Sequence, residues 1–359
     1  MRIGVLTFHR CINYGSYWQA RCLVEGLRAR GHDPVVIDHV SRRVDIAEWR
    51  CAFRPTLPEP GPSADRPRYR TKIRRFGKAV RALPLSAPYP LEGRVDPQCD
   101  LVVVGSDEVW NLAHPWYGGV PLFYGQGLQS ARLVSYAASF GNHDARWALA
   151  PEQARWLGDF DRISVRDGNS VRIVEQALGR APELVLDPCL QFPPGDAEVD
   201  EADASVGQPR APYIALYGHG FSPQLARRVR DWARRRGLAV VSIGYRNAWA
   251  DRQWLDAGPH AFARFMAGAE AVVTNFFHGC VFALVNARPF VCEPTSYRSN
   301  KIHGLMQTVG GGRHLFDPHA AGDQGLDRVL GRPLDPGIGE RIRAGRRRSS
   351  RFLDHALAA

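Results

Sequence analysis

Short runs that favour strands recur along the chain, with amphipathic stretches between them; the run 101–104 is continuously apolar. In the first half these runs cover residues 3–8, 34–38, 101–104, 132–137 and 161–165, and in the second half 213–217, 239–243, 271–274 and 289–292. Runs without an alternating polar side are typical of strands that are covered on both faces of a parallel sheet. The stretches between them carry apolar residues every three or four positions, which predicts helices. The pattern therefore predicts an α/β fold with two Rossmann-like parallel-sheet domains.

The irregular stretches set the predicted domain limits. An N-terminal domain over residues 1–190 is followed by a linker, 191–211, that is rich in proline, acidic residues and glycine. A C-terminal domain covers 212–335, and a basic amphipathic helix covers 336–359. Residues 40–98, two proline-rich pieces around a basic helix, are predicted as an insertion over one end of the N-terminal sheet. Two such domains place the active site in the cleft between them.

Composition narrows the class of protein. The 359 residues are 45% hydrophobic and 23% charged, as in a soluble globular protein. No apolar run reaches the roughly 20 residues that span a bilayer. The N-terminus enters a strand directly, without the features of a signal peptide, which predicts a cytoplasmic protein. The seven cysteines form no CxxC pair, so we expect reduced thiols rather than disulfides or a zinc site.

The formal net charge of +11 is concentrated in two runs. Residues 66–81 contain eight basic side chains and residues 341–351 contain six. Such runs are typical of a solvated surface, and they also suit an anionic acceptor, the surface of an anionic membrane or nucleic acid. Nucleic acid is disfavoured because the first run lacks the interleaved aromatic residues of a stacking platform.

Candidate ligand-binding residues in the N-terminal half follow the predicted strands. Asn13, Tyr14, Gly15 and Ser16 lie where a loop meets a helix predicted to begin at about residue 17, so their backbone could hold an anion or a hydroxyl-rich ligand. Many helices begin after such a sequence without binding anything, and the pattern alone leaves both interpretations open.

Two later strands end in side chains that can do chemistry. Ser106 and Asp107 follow the run 101–104, where they could bind a ligand or supply a base; they could equally cap a helix. Ser139 follows the run 132–137. Arg166 stands at the carboxyl end of the run 161–165, where an ion pair with Asp167 or another acid is the alternative to a ligand contact.

The stretch 270–284 carries the strongest candidate. A buried strand leads into a turn with His278 and Gly279, and an apolar helix is predicted from Cys280. Such a turn aims side chains and backbone N–H groups into the crevice at the carboxyl ends of a parallel sheet. A core or capping role for His278 is the alternative. Cys280 could be a nucleophile, but the helix pattern favours packing in the core.

Taken together, these motifs resemble the polysaccharide pyruvyl transferase family. The resemblance extends from Ile3 to about Gly310, and its motifs occur in the order and spacing of the family: NYGS at 13–16, VGSDEVWN at 104–111, SYAAS at 135–139, SVRD at 164–167, FFHG at 276–279 and NKI at 300–302. No single motif is decisive, but the ordered set is specific.

The resemblance implies a fold similar to that of the GT-B glycosyltransferases. It also implies phosphoenolpyruvate as donor and co-substrate, a pair of sugar hydroxyls as acceptor, and a pyruvyl ketal and phosphate as products. By position, Arg166, His278 and Lys301 would hold the donor. No further cofactor is implied.

The physical chemistry of the donor agrees with these residues. Phosphoenolpyruvate carries a carboxylate and a phosphate, so its site needs convergent cations such as Arg166 and Lys301. His278 is predicted to bind the donor phosphate and deliver a proton, and Asp107 to act as acceptor ligand or base. Ser106, Ser139 and Gly279 are predicted to complete the substrate contacts. The sequence has no convincing acidic DxD pair and no HExxH spacing, which predicts a metal-independent site.

Three other functions remain open at this point. They are a sugar-nucleotide glycosyltransferase on the same architecture, a phosphoenolpyruvate-dependent transfer to a non-sugar acceptor, and a catalytically silent binding protein. The basic insertion 40–98 would suit a polyanionic acceptor, or one linked to a nucleotide or a lipid diphosphate.

Overall fold

The computed structural model describes residues 1–58, 61–129, 132–195, 211–295, 299–318 and 324–358. These residues divide into two compact units. The first unit consists of residues 1–48, 80–193 and 340–359, and the second of residues 49–79 and 194–339. Most of the predicted linker, 191–211, lies outside the described residues.

The first unit is built on a parallel sheet with the order β2-β1-β5-β6. In register, Val5 on β1 lies opposite Val36 on β2 and Val103 on β5. Two short parallel pairs, β3–β4 and β7–β8, accompany the sheet. The strands are β1 (Arg2–Leu6), β2 (Asp33–Val36), β3 (His39–Val40), β4 (Tyr89–Pro90), β5 (Leu101–Val104), β6 (Leu133–Ser135), β7 (Ser164–Val165) and β8 (Glu183–Leu184).

The second unit contains a five-stranded parallel sheet with the order β11-β10-β9-β12-β13. Its strands are β9 (Tyr213–Tyr217), β10 (Ala239–Ile243), β11 (Arg252–Trp254), β12 (Ala271–Thr274) and β13 (Phe290–Cys292). β9 is the central strand and all of its residues are buried. This sheet places the ends of β9, β10 and β12 side by side.

Helices connect the strands throughout the described chain. In chain order they are α1 (Tyr14–Arg28), α2 (Arg42–Phe53), α3 (Arg66–Arg81), α4 (Pro151–Gly158), α5 (Gly168–Leu178), α6 (Pro188–Gln191), α7 (Pro223–Arg235), α8 (Pro259–Gly268), α9 (Phe277–Val285), α10 (Ser299–Val309), α11 (Gln324–Leu330) and α12 (Pro336–Leu357). None of these helices combines the length and the apolar character that crossing a lipid bilayer requires.

Each unit has its own apolar core. Val102, Val104 and Trp110 belong to the core of the first unit, and Leu216 and Val273 to that of the second. Fully burying one such aliphatic side chain stabilises a fold by about 1.5–3 kcal/mol. The runs 101–104, 213–217 and 271–274 therefore form fully buried strands, as predicted. Of the run 161–165, only Ser164–Val165 forms a strand.

Two helices begin three residues earlier than the sequence predicts. α1 begins at Tyr14 instead of residue 17, because Asn13 is its N-cap and accepts hydrogen bonds from the backbone N–H groups of Gly15 and Ser16. α9 begins at Phe277 instead of Cys280, so His278 and Gly279 lie in its first turn. The predicted loops are therefore shorter than expected, and their polar residues are helical.

The insertion and the terminal helix differ most from the predicted domain limits. Residues 49–79, with most of α3, belong to the second unit, because Arg75 of α3 donates to the Asp256 backbone carbonyl at 2.6 Å. Residues from Glu340 onward belong to the first unit. There the side chain of Ser349 accepts a hydrogen bond from the Leu186 backbone at 2.9 Å. Composition gave no sign of these long-range contacts.

Candidate functional site

A buried ionic network lies at the carboxyl ends of the first sheet. Arg166, just after β7, donates to Asp107 at 3.2 Å and to Asp187 at 2.8 Å. Ser16, in the first turn of α1, donates to the other oxygen of Asp107 at 2.7 Å. The structure thus brings together three of the predicted site residues, Ser16, Asp107 and Arg166.

The charges of this network favour a permanently protonated arginine. The Arg166 side chain is only 1% exposed. Burial by itself would lower the pKa of Arg166, but the carboxylates of Asp107 and Asp187 outweigh burial and raise it. Asp107 also accepts from the Glu108 backbone N–H, and its φ of 77° lies in the left-handed region. Several donors therefore hold the Asp107 carboxylate in one orientation.

Arg166 does form an ion pair, the alternative that the sequence left open, but Asp167 is not the acid it hydrogen-bonds. Asp167 is the N-cap of α5 and accepts from the Ser170 backbone N–H. It also accepts from the hydroxyl of Ser139 at 2.7 Å. Ser139 thus fixes the loop after β6 to the start of α5. Asp167 therefore caps a helix, whereas Asp107, for which capping was also considered, does not directly precede one.

Ser106 belongs to a second hydrogen-bond chain beside the ionic network. Its hydroxyl donates to the side-chain carbonyl of Gln19 at 2.9 Å. The Gln19 amide donates to the hydroxyl of Thr7, which in turn donates to the backbone carbonyl of Ser106. These three side chains are fully buried. Their bonds join the ends of β1 and β5 to α1.

In the predicted anion-binding loop at residues 13–16, some of the backbone N–H groups already donate to a side chain of the same loop. The side-chain oxygen of Asn13 accepts from the backbone N–H groups of Gly15 at 2.8 Å and Ser16 at 3.4 Å. Tyr14 and Gly15 are buried in the first turn of α1. An asparagine directly before a helix is a capping signal. The capping role of Asn13 could therefore have been predicted from the sequence.

A histidine–aspartate group after β1 and β2 was missed by the sequence analysis. Asp38 accepts from His9 at 2.9 Å and from Arg10 at 2.7 and 2.8 Å. Burial opposes the charge of Asp38, but His9 and Arg10 together lower its pKa below the usual range. Burial and the nearby His9 lower the pKa of His39 to about 3. The position of Asp38 at the end of a predicted strand was the available signal.

In the second unit, His278 lies in the first turn of α9, directly after β12. It is 8% exposed, and its ring packs edge-on against Phe277 at 5.1 Å. The N-cap residue of α9 is Phe276, whose side chain cannot accept a hydrogen bond. The start of α9 therefore lacks the side-chain acceptor that Asn13 and Asp167 supply at α1 and α5, and it carries the positive end of the helix dipole.

Gly279 has a packing role that the sequence did not predict. A Cβ atom at this position would lie 2.0 Å from the hydroxyl oxygen of Thr274. Thr274 donates to the Tyr217 carbonyl at 2.6 Å and accepts from the Phe276 N–H at 3.0 Å. The absence of a side chain lets α9 approach the end of β12 closely. This approach positions His278.

Polar and aromatic side chains join the neighbouring strand ends. Asn275 is fully buried and donates to the His219 carbonyl at 2.7 Å, which ties the loop after β12 to the loop after β9. The rings of His219 and Phe276 each lie within 5.3 Å of the ring of Tyr245, which follows β10. These residues line the edge at which α9 begins.

Lys72 of α3 is a second residue at this edge that the sequence analysis missed. It is 2% exposed, donates to the Gly244 carbonyl at 3.0 Å, and its ammonium lies 4.5 Å from the ring centre of Tyr245. Burial lowers its pKa from 10.5 to about 7. The signal was its place on the buried stripe of α3, between Tyr69 and Phe76.

The remaining predicted residues of the second unit are also placed. Lys301 is half-buried in the first turn of α10, which begins at Ser299. Cys280 is fully buried within α9, as the packing interpretation expected. His278, Gly279 and Lys301 thus all occupy first turns of helices in the second unit.

Comparisons with known proteins add a family and a fold. A family model described as polysaccharide pyruvyl transferase matches residues 13–297. No curated protein matches the chain. The solved UDP-GlcNAc 2-epimerase from Methanocaldococcus jannaschii is similar, with a TM-score of 0.52 and 12% identity over 99% of this chain and 100% of that one. The Neisseria meningitidis UDP-GlcNAc 2-epimerase bound to UDP-GlcNAc has a TM-score of 0.51 and 8% identity over 100% of each chain.

At such low identity the likeness to the solved structures concerns the fold. Together with the two observed parallel sheets, it confirms the predicted α/β class with a Rossmann-like parallel sheet in each unit.

Proposed function

Because the chain belongs to the polysaccharide pyruvyl transferase family, it is a transferase, and we propose that it moves the pyruvyl group of phosphoenolpyruvate onto a sugar-containing acceptor. The observation that carries the donor assignment is the placement of His278 and Lys301 in the first turns of α9 and α10. Two helix N-termini, a lysine and a histidine offer positive charge of the kind that a carboxylate and a phosphate require.

The proposed reaction begins with proton transfer to the methylene carbon of the donor. This step makes a methyl group and leaves the central carbon electrophilic. One acceptor hydroxyl adds to that carbon and loses its proton, which gives a tetrahedral intermediate that still carries the phosphate. The bond between the central carbon and the phosphate oxygen then breaks, and its electron pair leaves with the phosphate. The second hydroxyl bonds to the same carbon and loses its proton, which closes the ketal. Of the two protons released, one replaces the proton given to the methylene carbon and the other ends on the phosphate. The products are a pyruvyl ketal and inorganic phosphate.

His278 is the proposed proton donor and phosphate ligand. An imidazole exchanges protons near neutral pH, and a positioned general acid contributes about 10²–10⁴-fold to a rate. Lys301 is the proposed point charge for the donor anion. Gly279 contributes by letting α9 approach Thr274, which sets the position of His278.

Asp107 is the proposed partner of the acceptor hydroxyl. Ser16, the Glu108 N–H and Arg166 all donate to its carboxylate and orient it. The sequence assigned Arg166 to the donor; because it donates to both Asp107 and Asp187, we now propose that it acts by positioning Asp107. In this scheme side-chain cations and helix termini balance the charge of the donor, so activity should persist in the presence of a chelator.

Phosphate release tests the proposal. The protein, phosphoenolpyruvate and a panel of sugar and non-sugar acceptors are combined, and released phosphate is measured by a coupled assay. An acceptor that reacts should gain the mass of one pyruvic acid less one water. His278→Gln should abolish release, whereas His303→Gln, an exposed histidine of α10, should not. If only a non-sugar acceptor of the panel gained this mass, transfer to a non-sugar acceptor would be favoured.

A sugar-nucleotide transferase is the competing function on this fold. Donor binding can be separated from turnover by thermal stabilisation, since a ligand that binds only the folded state raises the melting temperature. Phosphoenolpyruvate should stabilise the protein and UDP-GlcNAc should not. The reverse result would contradict the pyruvyl-transfer proposal, and no response to either donor would favour a silent binding protein.

A further inference from the structure

The basic helix α3 has two faces with different surroundings. On its inner face, Arg68 donates to the Gln253 carbonyl, Lys72 to the Gly244 carbonyl and Arg75 to the Asp256 carbonyl, all within the second unit. The side chains of these three cations therefore hold α3 against the rest of the second unit. They account for only part of the positive charge that the sequence concentrates between residues 66 and 81.

The outer face of α3 presents a stripe of exposed cations. Arg66, Arg70, Arg74 and Lys78 follow one another at intervals of four residues, and all four are exposed. Residues four apart are neighbours on one helix face, where like charges repel and destabilise the helix. Among the residues that the structure describes, no carboxylate forms an ion pair with Arg66, Arg70 or Arg74. We call these four residues the basic stripe.

An aromatic pair adjoins the basic stripe. Trp49, in the second half of α2, is 44% exposed, and its ring stacks at 5.0 Å on that of Phe53, which is half-buried. The guanidinium of Arg70 lies 5.8 Å from the centre of the Phe53 ring. Arg50 and Arg54 are exposed in the same segment. The pair and the stripe are therefore continuous within residues 49–79 of the second unit.

The chemistry of this surface suits the interface of an anionic membrane. Tryptophan is enriched at the headgroup level of bilayers, where its ring is partly apolar and its N–H is polar. Arginine and lysine are attracted to anionic headgroups, and a basic helix with an apolar edge is typical of membrane-surface segments. A single-stranded nucleic acid would instead need rings that are spaced to stack on successive bases. Trp49 and Phe53 stack on each other.

We propose that residues 49–79 dock the protein on the surface of an anionic membrane. Trp49 and Phe53 enter the headgroup region, and the basic stripe faces the anionic headgroups. The proposal does not depend on pyruvyl transfer, because none of these residues has a role in the proposed reaction. Docking would bring the enzyme to acceptors that are carried on membrane lipids.

Vesicle co-sedimentation of the full chain tests this docking. We expect binding to phosphatidylcholine vesicles that contain phosphatidylserine, and little binding to pure phosphatidylcholine. Each basic residue near such a surface contributes about fivefold to the affinity. Neutralising the stripe with Arg66→Gln, Arg70→Gln, Arg74→Gln and Lys78→Gln should therefore abolish measurable binding. Trp49→Ser alone should weaken it, and added salt should weaken it further.

A matched control removes the same charge elsewhere. Arg341, Arg343, Arg347 and Arg348 are exposed on α12 in the first unit, and replacing all four with Gln should leave vesicle binding intact. Equal loss in this control would overturn the proposal, because it would show a response to net charge alone. Failure of the unmodified protein to bind the anionic vesicles would also overturn the proposal. Stripe-dependent binding of a single-stranded oligonucleotide without vesicle binding would assign the surface to nucleic acid instead.

Discussion

Arg166 and Asp107 form an ion pair, with the arginine Nη2 3.2 Å from the aspartate Oδ1 and both side chains buried. From the sequence, Arg166 was predicted to contact the donor and Asp107 the acceptor. In the structure they stabilise each other, and Asp187 completes the group. A change at Arg166 should therefore act on folding as well as on activity.

Arg166→Met should destabilise the protein by about 3–5 kcal/mol, because it leaves two buried carboxylates without their cation. Chemical denaturation measures this loss. Arg155→Met is the control: Arg155 faces Glu152 with 74% and 63% of the two side chains exposed, so its removal should change stability by less than about 1 kcal/mol. A loss at Arg166 as small as this would contradict the structural role.

Gly279→Ala should destabilise the second unit by about 1–3 kcal/mol, because the new Cβ would meet the Thr274 hydroxyl at 2.0 Å. The overlap should also move His278 and reduce phosphate release. Thermal unfolding and the release assay measure the two effects. Gly325→Ala changes an exposed glycine of α11 where no described atom lies within 4 Å of the place its methyl group would take, so it should be neutral or slightly stabilising. A tolerated Gly279→Ala with full activity would contradict the packing argument.

The strands were predictable because burial on both faces of a parallel sheet demands continuous apolar runs. The run 101–104 and the run 271–274 coincide with β5 and β12. Helix starts were less predictable. The first turn of α9 is occupied by Phe277, His278 and Gly279, and none of these residues signals the start of a helix in the sequence. The start of α9 is defined by the packing of Gly279 on Thr274 and not by a capping side chain.

The sequence alone did not predict which residues contact the site residues. Asp107 and Arg166 are 59 residues apart, and no local pattern encodes their contact. The same holds for Lys72 and the Gly244 carbonyl, which lie 172 residues apart. Local periodicity indicates which face of an element is buried, whereas the identity of the buried partner depends on the folded topology.

Lys301→Met should raise the KM for phosphoenolpyruvate more than it lowers kcat, if the lysine holds the donor equally in the ground and transition states. A hydrogen bond to a charged group contributes about 1.5–3 kcal/mol, which corresponds to roughly a 10–100-fold change in KM. His278→Gln should instead lower kcat, because proton transfer occurs only during the reaction. Steady-state kinetics on both variants separates the two roles. Equal effects of the two variants on kcat alone would contradict the assignment of Lys301 to binding.

Lys72→Met should change how stability depends on pH. Lys72 has a pKa of about 7 in the folded protein and near 10.5 when unfolded. Below about pH 7 it is charged in both states, and the folded state bears the full penalty of a buried charge. Between those two pKa values the unfolded state binds more protons, so wild-type stability rises relative to the variant by about 1.4 kcal/mol per pH unit.

Chemical denaturation between about pH 6 and pH 9 measures this difference. Lys72→Met should be more stable than wild type at the lower end, because methionine fills the same buried space without a charge. The difference in the free energy of unfolding between the variant and the wild type should become smaller as the pH rises. Lys78→Met is the matched control, since it removes an exposed lysine from the same helix and should leave the slope unchanged. A wild-type slope equal to that of Lys72→Met would show that Lys72 keeps its ordinary affinity for protons.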